Sequence, residues 1–221
     1  MGPLWSISVE EQFYAIWPPI VKFGGKKLAY CAAGIFMIGA GVWIWVFSAK
    51  GWRLWYDTPV EFLFFAAGVL IALRTHRKEL SRTPVAVRCA LMACGIACLA
   101  AAVQFGGVGT DNVPSIDALK SYIGYGGAMA GCTLIFISVL GISRIPSPII
   151  YLGKISFGLY VFHGAVMGTL QNLTNNAKGH LPPMLCALML CIVGAHLSYQ
   201  LLEKPFLRMK ERFEVVHSRP A

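Results

Sequence analysis

Apolar residues run along this chain in blocks of 16 to 22 positions, separated by short stretches that carry most of the charge. Seven blocks stand out: Leu4–Val21, Leu28–Ala49, Thr58–Leu73, Val85–Phe105, Ser121–Ile142, Ile155–Leu170 and Pro182–Leu202. A helix needs about 20 apolar residues to cross the hydrocarbon of a bilayer, so each block predicts a transmembrane helix. Strands of a membrane barrel would instead show ten-residue segments alternating apolar with polar, and that alternation is missing. The pattern therefore predicts an all-α membrane helix bundle of about seven transmembrane helices.

Charge placement supports this division and gives it a direction. The connections after the first, third and fifth blocks, with the segment after the seventh, hold 14 of the 19 Lys and Arg residues. The alternate connections hold four, Lys50, Arg53, Lys120 and Lys178, and Arg88 opens the fourth block. Positive residues collect on the cytoplasmic side, so the N-terminus is expected outside and the C-terminus in the cytoplasm. Residues 1–207 read as the membrane domain and 208–221 as a basic cytoplasmic tail.

Composition narrows the class. Of 221 residues, 57% are hydrophobic and only 13% charged, with a net charge of +9. Soluble domains carry about 25% charge, which excludes an ordinary soluble enzyme, a disordered chain or a nucleic-acid module. The lipid bilayer is the expected surround, and the positive excess marks topology. Seven cysteines lie inside the apolar blocks with neither C-x-x-C pairing nor zinc spacing, so they read as packing residues and no metal site is expected. Gly124, Gly127, Ala128 and Gly131 space small residues at three and four positions, a pattern that lets membrane helices approach closely. Trp43, Trp45, Trp52, Trp55 and Tyr56 gather at one end of the second block, as an interfacial aromatic belt does.

Ionisable side chains inside a membrane are costly and mark candidate chemistry. They concentrate in Trp5-Ser6-Ile7-Ser8-Val9-Glu10-Glu11-Gln12-Phe13-Tyr14, followed by Trp17-Pro18-Pro19. On a helix Ser6, Glu10, Tyr14 and Trp17 share one face, while Glu11 is turned about 100° away. A row of hydroxyl, carboxylate, phenol and indole suits a polyhydroxylated ligand or a proton transfer, and equally a buried packing network. Pro18 and Pro19 cannot donate to the carbonyls of Tyr14 and Ala15. Glu61 lies near the outer end of the third block, where a salt bridge or snorkelling to the interface would also explain it. His163 is mid-block, where it serves either packing or proton transfer. Depths counted along the helices put Glu10 and His163 roughly 9 and 11 Å below the outer surface, where they could meet across one cavity. His196 makes a weaker case of the same kind. On the cytoplasmic side Arg74, Arg88 and Lys154 are candidate contacts for the phosphate groups of a cytoplasmic donor, although topology and anionic lipid also explain such cations.

Three segments together resemble one family. The stretch Trp5–Tyr14 with Trp17-Pro18 is similar to the W-S-[LI]-S-V-E-E-Q-F-Y-x-x-W-P signature of the acyltransferase-3 family, the O-antigen acetylase type. Tyr151-Leu152-Gly153-Lys154-Ile155-Ser156-Phe157-Gly158-Leu159-Tyr160-Val161-Phe162-His163 resembles its L-G-x-I-S-Y-x-[LI]-Y-L-x-H segment, and Ser198-Tyr199-Gln200-Leu201-Leu202-Glu203-Lys204-Pro205-Phe206 its S-[YW]-x-x-[IVL]-E-[KR]-P-F ending. The resemblance implies an integral O-acyltransferase of the bacterial cytoplasmic (inner) membrane. It would move acetyl from acetyl-CoA, a donor and not a permanently bound cofactor, to a hydroxyl of a cell-envelope or exported glycan. Glu10 and Glu11 would then be catalytic, with His163 beside them, and Ser6, Tyr14 and Glu61 would bind the acceptor. In the family the first motif follows three or four earlier helices, the first of which carries the principal His. This sequence starts with the motif, so the resemblance implies a C-terminal portion whose N-terminal helices would be supplied by a full-length protein. A transporter or flippase-like protein and a non-catalytic fragment are the competing readings. The first would require an internal repeat, and the halves of the chain show no self-similarity.

Overall fold

A computed structural model describes residues 5–52, 54–75, 83–108, 117–142, 144–173 and 181–213. Every regular element among them is helical: α1 (Trp5–Ser48), a 3-10 turn (Leu54–Tyr56), α2 (Thr58–Thr75), α3 (Val85–Gly106), α4 (Ala118–Val139), α5 (Ser147–Lys154), α6 (Ser156–Leu173), α7 (Leu181–Ser198), a π-helical turn (Tyr199–Glu203) and α8 (Lys204–Phe213). Five helices are long and apolar enough to cross a membrane, or six when α5 and α6 count as one broken span. The chain divides into two compact units, the first holding α1 to α4 and the second α5 to α8.

The first unit is built on a helical hairpin. α1 runs for 44 residues but is broken at Gly25, where φ is 59° and ψ −160°. That backbone conformation is open to glycine and strained for any residue with a Cβ. The Trp17 and Phe36 rings lie 6.5 Å apart, whereas 19 residues of unbroken helix would separate them by about 28 Å. Residues 5–24 and 26–48 are thus two arms folded back on each other, and they match the first two apolar blocks of the sequence. One glycine makes the reversal that the sequence reading assigned to a loop.

Aromatic rings tie these arms to α2. Phe13 stacks on Phe65 at 4.7 Å and on Trp17 at 5.5 Å, and Phe36 meets Phe62 at 5.2 Å. In the same half of α2, Val60 and Leu63 join Ala40, Ile44 and Leu54 in a buried core with Ala102 of α3 and with Tyr125 and Ala128 of α4.

α3 and α4 pack through glycine. A Cβ on Gly106 would fall 2.3 Å from the Cα of Gly124, and one on Gly131 would fall 2.8 Å from the carbonyl of Gly95. The small-residue stripe read from α4 therefore faces a matching pair in α3. Arg88 closes the far end of this pair. Its Nη1 donates to the carbonyls of Ser138 (2.8 Å) and Leu140 (2.9 Å), and its Nε donates to Thr83 (3.2 Å). A cation at a helix C-terminus satisfies carbonyls that have no intrahelical donor.

In the second unit, α5 and α6 meet at a 65° bend around Ile155, which is fully buried. The sixth apolar block was read as a single span from Ile155. The structure adds α5 ahead of it, started by Ser147-Pro148, a proline position that suits a helix's first turn. α6 packs on α7, and a Cβ on Gly158 would approach Ala195 to 3.0 Å.

Candidate active site

The first arm of α1 presents the motif row as the helix register requires. Val9 is 4% exposed and Phe13 is packed in the aromatic cluster, so these two form the arm's inward side. Glu10 and Tyr14, one residue further on, line the edge of that side and are exposed within the first unit; Ser6 and Trp17 are half-buried. Glu11 is also exposed, on the next face round. The row is therefore present as carboxylate and phenol on an accessible strip, bordered by the rings of Phe13 and Trp17. Such a strip can accept hydrogen bonds from hydroxyl groups through Glu10, exchange them through Tyr14 and stack a sugar ring on an indole.

Glu61 occupies the first turn of α2 and is half-buried. Among the described residues no ion pair reaches it. Its surroundings are acidic and phenolic. Asp57, one turn earlier, accepts a 2.9 Å hydrogen bond at Oδ2 from the Trp43 indole N–H. Tyr125, only 5% exposed, lies within electrostatic reach of both Glu61 and Asp57. Sequence reading missed Asp57 and Tyr125 and placed Trp43 in an interfacial belt. The available signal was Asp57-Thr58-Pro59, an acid and a proline at the opening of a helix.

In the second unit His163 is exposed on α6. Its Nδ1 is bonded to the carbonyl of Tyr160 in the preceding turn. A carbonyl only accepts, so Nδ1 is the donor and Nε2 is the ring nitrogen left outside that bond. His196 accepts or donates through Nδ1 to the Tyr151 hydroxyl at 2.7 Å, and Tyr199 meets the Tyr151 ring edge-on. These contacts pin α5 to α7 beside the π-helical turn, a local widening often found at functional sites. Glu10 and His163 belong to different units.

Of the cations, Arg74 ends α2 and is exposed, and Lys154 ends α5 and is exposed. Arg88 is the one drawn into helix capping. His76, Arg77, Lys78, Arg82, His180 and His217 lie outside the described residues.

A family model described as "Acyltransferase domain" matches residues 1–201. The chain belongs to the acyltransferase-3 family. Relatives of this acyltransferase-3 chain include a "Putative O-acetyltransferase" of Staphylococcus aureus (strain COL), 22% identical over 99% of the chain and 38% of the relative. "Putative peptidoglycan O-acetyltransferase YrhL" of Bacillus subtilis (strain 168) is 28% identical over 91% of the chain and 34% of its own length. "Peptidoglycan O-acetyltransferase OatA" of Listeria monocytogenes serovar 1/2a is 23% identical over 91% and 34%. The chain thus spans little more than a third of the length of these curated relatives. No solved structure matches it. The three family motifs fall on distinct structural features: the first arm of α1, the α5–α6 bend, and the passage from α7 through the π-helical turn into α8.

Proposed function

We propose that this chain is the membrane portion of an O-acyltransferase that moves an acetyl group from acetyl-CoA to a hydroxyl of a cell-envelope glycan. The family match over residues 1–201 carries the reading. The names of the peptidoglycan O-acetyltransferase relatives support a glycan of the envelope as acceptor. In the reaction the acceptor oxygen attacks the thioester carbonyl, a base takes the hydroxyl proton, and the C–S bond breaks to release the CoA thiolate. Glu10 and Glu11 hold or orient that base and the acceptor, with Ser6, Tyr14 and Glu61 hydrogen-bonding the sugar. Nε2 of His163 is a second group able to receive a proton. Arg74 and Arg88 of the first unit, and Lys154 of the second, are the candidate contacts for the donor's phosphates.

The reading includes seven crossings of the bacterial cytoplasmic membrane, with the N-terminus outside and the C-terminus inside. The folded-back arms of α1 and the broken span α5–α6 support that number, and the loop charges support the direction.

The test is acetyl transfer in membranes carrying the protein, supplied with labelled acetyl-CoA and an envelope glycan and read as base-labile acetate on the glycan. Transfer is expected with the chain carried in its full-length protein, with a loss of at least about 100-fold in Glu10→Gln, on the scale of a positioned acid–base group. Base-labile acetate at background level, or wild-type transfer by Glu10→Gln, would remove the reading or the role of Glu10 respectively.

A further inference from the structure

We infer that α8 is a docking surface for the anionic phospholipid headgroups of the leaflet reached by the C-terminal end of α7. The inference goes beyond acyl transfer and rests only on α7 being a membrane span. α7, the π-helical turn and the start of α8 form one candidate span from Met184 to Met209, 26 residues long. At 1.5 Å per residue that is roughly 39 Å. The hydrocarbon of a bilayer is about 30 Å thick, and about 40–45 Å with its headgroups. The surplus is about six residues, so residues 204–209 fall in the headgroup layer.

The residues at that depth fit it. Lys204 and Arg208 are four apart and share one face of α8, while Phe206 and Met209 are three apart and share the opposite face. Phe206 is 66% exposed and Met209 53%, so neither is consumed by packing within the unit. The Lys204 ammonium donates to Gln200 Oε1 at 3.1 Å, which holds it back towards the end of the span and leaves two further N–H groups to donate. Arg208 is exposed, and its planar guanidinium fork matches the geometry of a phosphate. Where the helix runs on into the headgroup layer, the cations of Lys204 and Arg208 can meet lipid phosphates while the exposed Phe206 and Met209 lie at the acyl-chain boundary. A soluble acidic partner would match the cations and leave Phe206 and Met209 in water.

The experiment uses the full chain, purified in detergent and exposed to equal amounts of phosphatidylglycerol and phosphatidylcholine, with retained lipid counted by native mass spectrometry. Phosphatidylglycerol is expected to be retained in preference. Each cation near a lipid surface contributes roughly fivefold, so Lys204→Gln with Arg208→Gln is expected to lower phosphatidylglycerol affinity by roughly 25-fold and leave phosphatidylcholine retention unchanged. Lys204→Arg with Arg208→Lys perturbs the same positions, keeps the charge and is expected to keep the preference, which separates lost binding from lost folding. Equal retention of both lipids by the wild-type chain would overturn the inference, as would an unchanged preference in the double glutamine variant. So would displacement of the lipid by millimolar inorganic phosphate, which would mark a site for soluble phosphate instead.

Discussion

The residues that matter most to the first unit's polar chemistry are held by partners from other elements. Asp57 is the clearest case. Its carboxylate accepts from the Trp43 indole 14 residues away, and its backbone carbonyl accepts from Val60 and Glu61 as α2 begins. Replacing the indole by a ring without a donor leaves a part-buried carboxylate short of one charge-assisted bond. Trp43→Phe is therefore expected to cost about 1–2 kcal/mol, read as a lower thermal midpoint in detergent, whereas Trp55→Phe, at an exposed position, is expected to leave it unchanged. The sequence made the Glu10–Tyr14 row legible, because helical register alone puts residues four apart on one face. It did not make Asp57 or Tyr125 legible. Their meeting with Trp43 and Glu61 is chosen by how α1, α2 and α4 pack, and no local spacing encodes that.

Among the helices, single glycines decide how closely and in what direction neighbours run. Gly25 reverses the chain with a backbone conformation that costs an L-residue about 1–2 kcal/mol. Gly106 and Gly124 bring α3 and α4 into backbone contact, so a side chain at either must push the helices apart. Gly124→Val is expected to destabilise the protein by about 1–3 kcal/mol, the range of overpacked cores. Gly126→Ala, two residues along with open space around its Cβ, is expected to be neutral. Thermal unfolding of the two variants side by side checks this, and equal midpoints would show that the approach of α3 to α4 is not tight. Half of this contact could be read beforehand, since the small-residue spacing in α4 is regular. Its partners Gly95 and Gly106 are 11 positions apart in α3 and reveal themselves only against α4. The bend at Ile155 was also hidden. An apolar block looks the same whether its helix is straight or broken, and the Pro148 that starts α5 lies ahead of the block itself.

For the molecule as a whole, the arrangement of charge says more than its amount. A net charge of +9 on a chain with 13% charged residues could suggest a binding surface. Yet 14 of the 19 cations fall in alternate connections and the C-terminal segment, the pattern expected where positive residues resist translocation. The folded-back α1 is central to this reasoning. Were α1 a single 44-residue span, the connections beyond it would exchange sides, and Lys26 and Lys27 would be buried mid-helix at a cost of several kcal/mol. Because the arms reverse at Gly25, those lysines instead sit at the hairpin's tip with Lys22. Reporter fusions in bacteria test the whole pattern at once. A phosphatase active only outside the cytoplasm, fused after Gly51, Asn112 or Asn176, is expected to be active, and silent after Lys26, Lys78 or Lys210. A fluorescent protein that matures only in the cytoplasm is expected to give the reverse. Activity of the phosphatase after both Lys26 and Gly51 would break the hairpin reading, and a uniform inversion at all six sites would leave the seven crossings intact while turning the molecule over.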